Sequence, residues 1–215
     1  MGDVDWARVA LLVAVVVPSV ILHEVAHGAA ANLFGDDTAR RAGRLTLNPL
    51  RHVDPFGTFV LPLLLSLSGV GAFGYAKPVP VNLARLRDPR RHALFVSLAG
   101  PATNIALLVV ATVLLRSVFA GDLDRAFSID DLSLAARFTF WFGFVNVLLA
   151  VFNLLPIPPL DGSALVERAM PASWWPAWHR FRPYGMGLIL LVVVAAPGVL
   201  TKVFDPALRF WFRSL

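Results

Sequence analysis

Apolar residues form long runs along this chain, and most of the charged residues lie in the short loops between them. A run of about 20 apolar residues is long enough to cross the hydrocarbon core of a bilayer as one helix. Three runs reach that length, at residues 6–34, 93–119 and 134–155, and a fourth run covers residues 184–200. The pattern therefore predicts an all-α fold, a polytopic membrane bundle of helices.

Composition supports a membrane location. Hydrophobic residues make up 57% of the 215-residue chain, charged residues only 15%, and the mean hydropathy is +0.69. Soluble globular domains are closer to about 45–50% apolar and about 25% charged. The chain has no cysteine, so disulfides and thiolate metal ligands are excluded, and any metal must be bound by His, Asp or Glu. The net charge of +5 comes from basic residues in loops, which favours contact with an anionic lipid leaflet over nucleic acid.

A shorter apolar segment, residues 56–70, has a basic loop on each side. Residues 36–51 contain four arginines against two aspartates, and residues 71–92 contain one lysine and four arginines against one aspartate. By the positive-inside rule, both flanks are expected on the cytoplasmic side, whereas the acidic loop 121–133 is expected outside. The segment is also short for a span and contains a proline, so we expect residues 56–75 to form a re-entrant segment or a hairpin.

The first apolar run contains the sequence His23-Glu24-Val25-Ala26-His27. Histidines four positions apart lie on one face of a helix, where they can bind one metal ion. Glu24 lies beside them, in the position of a general base for water. Ionisable residues within a membrane helix are costly and usually functional. The motif therefore indicates a zinc hydrolase whose active site lies within the bilayer.

A second motif, Asn153-Leu-Leu-Pro-Ile-Pro-Pro-Leu-Asp161-Gly162, closes the third long run. A catalytic zinc takes three protein ligands and keeps one open position, and Asp161 is a suitable third ligand. The prolines break the helix and leave backbone carbonyls without helical partners, as is tolerated in a membrane only where a cavity or protein shelters them. Asp-Gly alone is also a common turn pair. The predicted topology brings Asp161 to the same side as His23.

The two motifs, in this order, resemble the site-2 protease family of intramembrane zinc metalloproteases. Residues 43–49 (GRLTLNP), 74–82 (GYAKPVPVN) and 100–104 (GPATN) extend the resemblance, which covers about residues 10–165. It implies a three-span catalytic core in residues 1–165. The fourth apolar run and the basic and aromatic residues after it predict a further span and an interfacial amphipathic tail in residues 166–215. The chain is similar to the minimal members, which have no PDZ or CBS domain.

The resemblance also implies a site and a function. One Zn²⁺ would be held by His23, His27 and Asp161, with Glu24 as the base and Asn153 at the carbonyl of the bond to be cleaved. The substrates would be transmembrane segments of membrane proteins, such as membrane-anchored regulators, including anti-sigma factors, or remnant signal peptides. The expected location is a bacterial or archaeal cell membrane, with a multi-pass topology and an active site nearer the cytoplasm.

Several polar positions have a purely structural interpretation as well. Asn153 can form a hydrogen bond between helices, and for Asn146 and Asn104 we favour packing between helices over chemistry. Residues 77–82 are expected to be extended, either as an edge that pairs with unwound substrate or as a structural loop.

Two other functions remain open from the sequence. A catalytically silent membrane-binding or chaperone protein could keep the fold, but the intact motif residues argue against it. A metal or ion transporter would need more intramembrane polar residues leading away from the site than this chain has.

Overall fold

The computed structural model describes residues 5–54, 57, 60 and 76–215, with the backbone alone at positions 172 and 197. Within the described residues all regular secondary structure is helical and no β-strand is present, which confirms the predicted all-α class. The helices are α1 (Trp6–Leu33), α2 (Thr38–Arg41), α3 (Pro89–Ser117), α4 (Ala120–Arg125), α5 (Leu134–Asn153), α6 (Ser163–Ala169), α7 (Trp175–Phe181), α8 (Gly185–Ala195) and α9 (Pro197–Arg213). Turns of 3-10 helix lie at Pro49–Arg51, Leu83–Arg85, Ile129–Asp131, Ala172–Trp174 and Arg182–Tyr184.

Helices α1, α3 and α5 form the core of the bundle. They contain 28, 29 and 20 residues and are apolar enough to cross a membrane. At about 1.5 Å per residue, each is at least about 30 Å long. Helix α3 packs against both α1 and α5, and α1 also touches α5. The predicted three-span core is therefore confirmed.

The ends of these spans follow from local sequence signals. Helix α3 begins at Pro89, earlier than predicted, because the Asp88 side chain accepts a hydrogen bond from the Arg91 amide and a proline occupies the first turn. Helix α5 ends at Asn153, shortly before Pro156, which has no amide to continue the helical pattern. These shifts are small, and they leave the span assignments unchanged.

The predicted re-entrant segment, residues 56–75, lies outside the described residues except for Gly57 and Val60. Its two flanks are nevertheless described, and they meet: the Lys77 amide donates to the His52 carbonyl at 2.9 Å. Farther along, the Arg87 amide donates to the carbonyl of Phe34, at the end of α1, at 3.1 Å. Both flanks thus lie at the same end of the spans, as the charge pattern predicts.

This arrangement predicts the outcome of a labelling experiment. Because the chain has no cysteine, single cysteines can be introduced at the exposed positions Arg41, Arg87 and Asp124. We expect an impermeant thiol reagent to label positions 41 and 87 only from the cytoplasmic side, and position 124 only from the outside. Labelling of positions 41 and 87 from opposite sides would contradict the shared location of the two flanks.

The apolar run at residues 184–200 is divided by a break. Helix α8 ends at Ala195 and α9 begins at Pro197, and the helical segments on either side are bent by 92°. A proline disfavours helical geometry in the residue before it, which explains the break at Ala196. Residues 184–200 therefore do not form a single uninterrupted helix. The division at residues 165 and 166 stays a prediction.

The tail returns to the core through Trp211. Its side chain is buried, its indole N–H donates to the Thr112 hydroxyl at 2.9 Å, and its rings pack against Phe140. Helix α9 therefore closes one side of the bundle formed by α3 and α5. Its location at the membrane interface stays a prediction.

A candidate metal centre within the three-span core

Three of the residues singled out in the sequence come together in the core. The Nε2 atoms of His23 and His27 lie 3.0 Å apart, one turn apart on α1. The Oδ2 atom of Asp161, from the loop after α5, lies 3.2 Å from His23 Nε2 and 3.3 Å from His27 Nε2. The three ligand atoms lie within 4.8 Å of one another, and both histidines are buried.

The hydrogen bonds of the two imidazoles assign their tautomers. His23 Nδ1 lies 2.6 Å from the Asn104 side-chain oxygen, and His27 Nδ1 lies 2.7 Å from the Val96 carbonyl oxygen. Since carbonyl oxygens only accept hydrogen bonds, each Nδ1 must carry the hydrogen. In a neutral ring the other nitrogen, Nε2, then presents a lone pair.

His23 Nε2, His27 Nε2 and Asp161 Oδ2 therefore lie close together, and none of the three carries a hydrogen that could form a hydrogen bond with the others. The buried Asp161 Oδ2 has no hydrogen-bond donor, although both Nε2 atoms lie close to it. A buried acceptor without a partner is costly, and a cation among the three atoms would satisfy all of them. Two imidazole nitrogens and a carboxylate oxygen are ligands that Zn²⁺ accepts. The residues present thus fit a zinc ion held at a three-ligand site.

Gly100 on α3 keeps the space beside the ligands open. A methyl group at this position would lie 2.6 Å from His23 Nε2, and closer still to His27 Nε2. Sterics thus explain the glycine at position 100, because any side chain there would fill the space that a cation shared by the two histidines needs.

Gly100→Ala is accordingly expected to lower zinc affinity by about 5- to 150-fold, since overpacking costs about 1–3 kcal/mol. Gly187→Ala is the matched control, because a methyl group at that α8 position meets nothing within 4 Å. Zinc affinity of both purified variants can be measured by competition with a chelator. Equal affinities for Gly100→Ala and the wild type would show that the ligands do not converge beside residue 100.

The loop that carries Asp161 is closed by the backbone. The Gly162 amide donates to the Asn153 carbonyl at 2.6 Å, and the Leu160 amide donates to the Ile157 carbonyl at 2.9 Å. A side chain at position 162 would collide with the carbonyls of Leu154 and Leu155. The glycine after Asp161 therefore allows the tight closure that directs the aspartate back toward α1.

Asn153 has a partner within its own helix. Its side-chain amide donates to the Leu149 carbonyl, one turn earlier, at 2.9 Å. This bond is neither the interhelical bond nor the substrate contact considered from the sequence. The assignment of Asn153 to the substrate carbonyl stays a prediction.

Glu24 is held by an extended segment, residues 76–82, which we call the strap. The Val79 amide donates to Glu24 Oε2 at 2.8 Å. Arg44 donates to the Lys77 carbonyl at 2.6 Å, and Asp36 accepts from the Asn82 amide at 2.6 Å. Both of these charged side chains are buried, and they fasten the two ends of the strap.

The Asp36 carboxylate is suited to this anchoring role. Burial raises the pKa of the Asp36 carboxyl, but hydrogen bonds from Thr38 and from the Asn82 amide outweigh that effect and hold the pKa below its usual range. The group therefore remains ionised and keeps accepting from the strap at neutral pH.

Two buried asparagines that we interpreted as packing residues belong to the surroundings of the metal group. Asn104 accepts from His23, and its own amide donates to Asn146 on α5 at 2.8 Å. The four-residue spacing of Val96, Gly100 and Asn104 puts these three positions on one face of α3. This spacing in the sequence could have identified the face of α3 that contacts His23 and His27.

The fold and the site define a membrane-embedded, metal-dependent hydrolase. The chain belongs to peptidase family M50, because the model of that family, described as "Peptidase family M50", matches residues 10–194. This family includes the site-2 proteases, which confirms the resemblance seen in the sequence.

Curated relatives agree with this assignment. The chain is 38% identical over 188 residues to "Putative zinc metalloprotease YwhC" of Bacillus subtilis (strain 168). The aligned residues cover 86% of this chain and 80% of that relative. It is 34% identical over 195 residues to "Putative zinc metalloprotease Rip2" of Mycolicibacterium smegmatis, which covers 90% of this chain and 69% of the relative. No solved structure matches the chain. The protein is therefore an integral membrane zinc metallopeptidase of the site-2 protease type.

Proposed function

We propose that this protein cleaves peptide bonds within the transmembrane segments of membrane proteins, at a zinc held by His23, His27 and Asp161. The main support is the depth of the convergent acceptor group. His23 precedes the end of α1 at Leu33 by ten residues, which is about 15 Å along the helix axis. A buried group at that depth lies within the hydrocarbon region of a spanning helix.

The proposed reaction is hydrolysis of an amide by water. A bound Zn²⁺ would lower the pKa of water toward about 7 and polarise the carbonyl. Glu24 takes a proton from the attacking water as the oxygen–carbon bond forms. The same carboxyl group then gives the proton to the leaving amine as the carbon–nitrogen bond breaks.

Glu24 and Asn153 have a hydrogen-bonding arrangement that is compatible with these roles. The Val79 amide holds one carboxylate oxygen of Glu24, and the second oxygen is the one we assign to proton transfer. The Asn153 amide nitrogen carries two hydrogens, of which one is donated to Leu149. We assign the other to the developing negative charge on the substrate carbonyl oxygen.

The substrate must unwind locally before it can react. In a transmembrane helix, each peptide bond is hydrogen bonded and surrounded by side chains, so the attacking water cannot reach it. The resemblance to site-2 proteases favours membrane-anchored regulators or remnant signal peptides as substrates. From the basic loops we infer that the active-site end faces the cytoplasm, in what we infer is a bacterial or archaeal cell membrane.

A reconstituted cleavage assay tests this proposal. The purified protein and a single-span substrate are incorporated into liposomes, and the products are mapped by mass spectrometry. We expect a cut inside the apolar segment of the substrate, and we expect a zinc chelator to stop the reaction. Cuts confined to the polar flanks of the substrate would contradict cleavage within the transmembrane segment. Zinc-containing protein that binds a substrate without cutting it would support a silent binding protein. Zinc uptake into the liposome lumen without cleavage would support a transporter.

A further inference from the structure

A chain of buried side-chain hydrogen bonds links the metal group to the other side of the core. His23 donates to Asn104, Asn104 donates to Asn146 at 2.8 Å, and Asn146 donates to Ser19 at 3.0 Å. Asn104, Asn146 and Ser19 have no exposed surface. The chain starts on α1, crosses α3 and α5, and returns to α1, so it connects all three spans of the core.

The Phe142 backbone carbonyl determines which atoms donate and which accept in this chain of hydrogen bonds. Asn146 Nδ2 donates to the Phe142 carbonyl at 2.8 Å, and a carbonyl can only accept. This contact fixes which end of the Asn146 side chain is the amide, so its Oδ1 must face Asn104. Asn104 in turn must present its Nδ2 to Asn146 and its Oδ1 to His23.

This direction determines which nitrogen of His23 can bind a metal. With the Asn104 oxygen facing His23, the hydrogen lies on Nδ1 and the lone pair lies on Nε2, beside His27 and Asp161. If the Asn104 amide turned over, its Nδ2 would face His23 Nδ1 and would favour the opposite tautomer. Nε2 would then carry the hydrogen and could not serve as a ligand.

We propose that Asn146 is a positioning residue for the zinc site, which acts by holding Asn104 in the orientation that directs the His23 lone pair toward the metal. The inference rests on the proposed metal centre and adds a residue to it that touches neither metal nor substrate. The loop that follows α5 then contributes Asp161 to the site, and α5 itself contributes Asn146, two turns before its end at Asn153. Partners that orient ligating histidines typically change metal affinity by about 10–100-fold when they are lost.

A role limited to helix packing makes a different prediction. If Asn146 only joined the helices, its replacement would lower the stability of the zinc-free bundle and leave zinc affinity unchanged. A positioning role predicts that zinc affinity falls. The same role predicts that, without zinc, His23 keeps its hydrogen on Nδ1 in the wild type but shows a mixture of tautomers once Asn146 is replaced. 15N NMR of labelled imidazole detects this difference.

The experiment compares zinc affinities of purified full-length variants by competition with a chelator. We expect Asn146→Leu to bind zinc at least about tenfold more weakly than the wild type, because the Asn104 amide loses its acceptor. Thr139→Val is the matched control. Thr139 is a buried polar residue on the same helix, but its hydroxyl donates within the helix to Ala135. We expect its replacement to leave zinc affinity unchanged.

Two further variants keep the test decisive. Asn146→Asp retains an oxygen that can accept from Asn104, and its neutral acid can donate to the Phe142 carbonyl, so we expect nearly normal zinc affinity. If Asn146→Leu does not fold, Asn146→Ala removes the amide without added bulk and carries the same expectation. Wild-type zinc affinity in the folded Leu or Ala variant would overturn the inference. Absence of zinc binding by the wild type would instead overturn the proposed metal centre.

Discussion

Glu24→Gln is expected to abolish most of the proteolytic activity while leaving the metal in place. The substitution keeps the size of the side chain and its ability to accept a hydrogen bond from the Val79 amide. It removes the base that takes the proton from water, and general acid–base catalysis contributes typically about 10²–10⁴-fold. We therefore expect cleavage to slow by at least about a hundredfold, with normal membrane insertion, zinc content and substrate binding.

Glu167→Gln is the matched control for this prediction. The chain has two glutamates, and Glu167 lies on α6, where it accepts a hydrogen bond from the Trp178 indole. A glutamine at position 167 can keep that bond, so we expect normal cleavage. Cleavage and zinc content are measured on the same preparations of both variants. Near-normal turnover by Glu24→Gln would refute Glu24 as the base and would require another proton acceptor.

Asp161→Ala is expected to remove both the zinc and the activity. Its Oδ2 is the third converging acceptor, and without it only the two imidazole nitrogens remain. A catalytic zinc takes three protein ligands. The loss of zinc affinity is therefore expected to be larger than the roughly 10–100-fold loss caused by removing a residue that only orients a ligating histidine. Zinc content, measured by mass spectrometry of the metal, and cleavage are expected to fall together.

Asp205→Ala separates the loss of the ligand from a general effect of removing an aspartate. Asp205 lies on α9 and pairs with Arg209 one turn later, far along the chain from the metal group. Exposed ion pairs contribute little stability, so we expect normal zinc and normal cleavage in this variant. Full zinc content and full activity in Asp161→Ala would show that another residue is the third ligand.

The parts of the site that the sequence predicted are those that local spacing controls. His23 and His27 share a face because they are four residues apart on one helix. The prolines before Asp161 predicted that α5 ends near Asn153, and the charge of the loops predicted that Asp161 would return to the same side as His23. These inferences needed no knowledge of how the helices pack.

The surroundings of the histidines could not be predicted in the same way, because they depend on contacts between distant parts of the chain. The contact between His23 and Asn104 joins residues 81 positions apart, and the contact between Ser19 and Asn146 joins residues 127 positions apart. A polar residue in an apolar run indicates only that it has a partner. Which partner it has follows from the packing of α3 between α1 and α5.

The sequence contains a signal for the break between α8 and α9, but the apolar run across it favours one continuous segment. Pro197 and Gly198 interrupt the run at residues 184–200, and both are poor residues for the interior of a helix. Mean hydropathy does not register such an interruption, since the residues on each side are apolar. The return of Trp211 to the core then depends on that change of direction.

X-ray absorption at the zinc edge, measured on the purified wild-type protein, tests the central claim most directly. The three convergent lone-pair atoms predict one zinc per chain, with two imidazole nitrogens at about 2.0–2.1 Å and a carboxylate oxygen at about 2.0–2.2 Å. Asp161→Ala is expected to lose this signal. A wild-type spectrum without imidazole scattering, or a protein that binds no zinc, would contradict a metal centre formed by His23, His27 and Asp161.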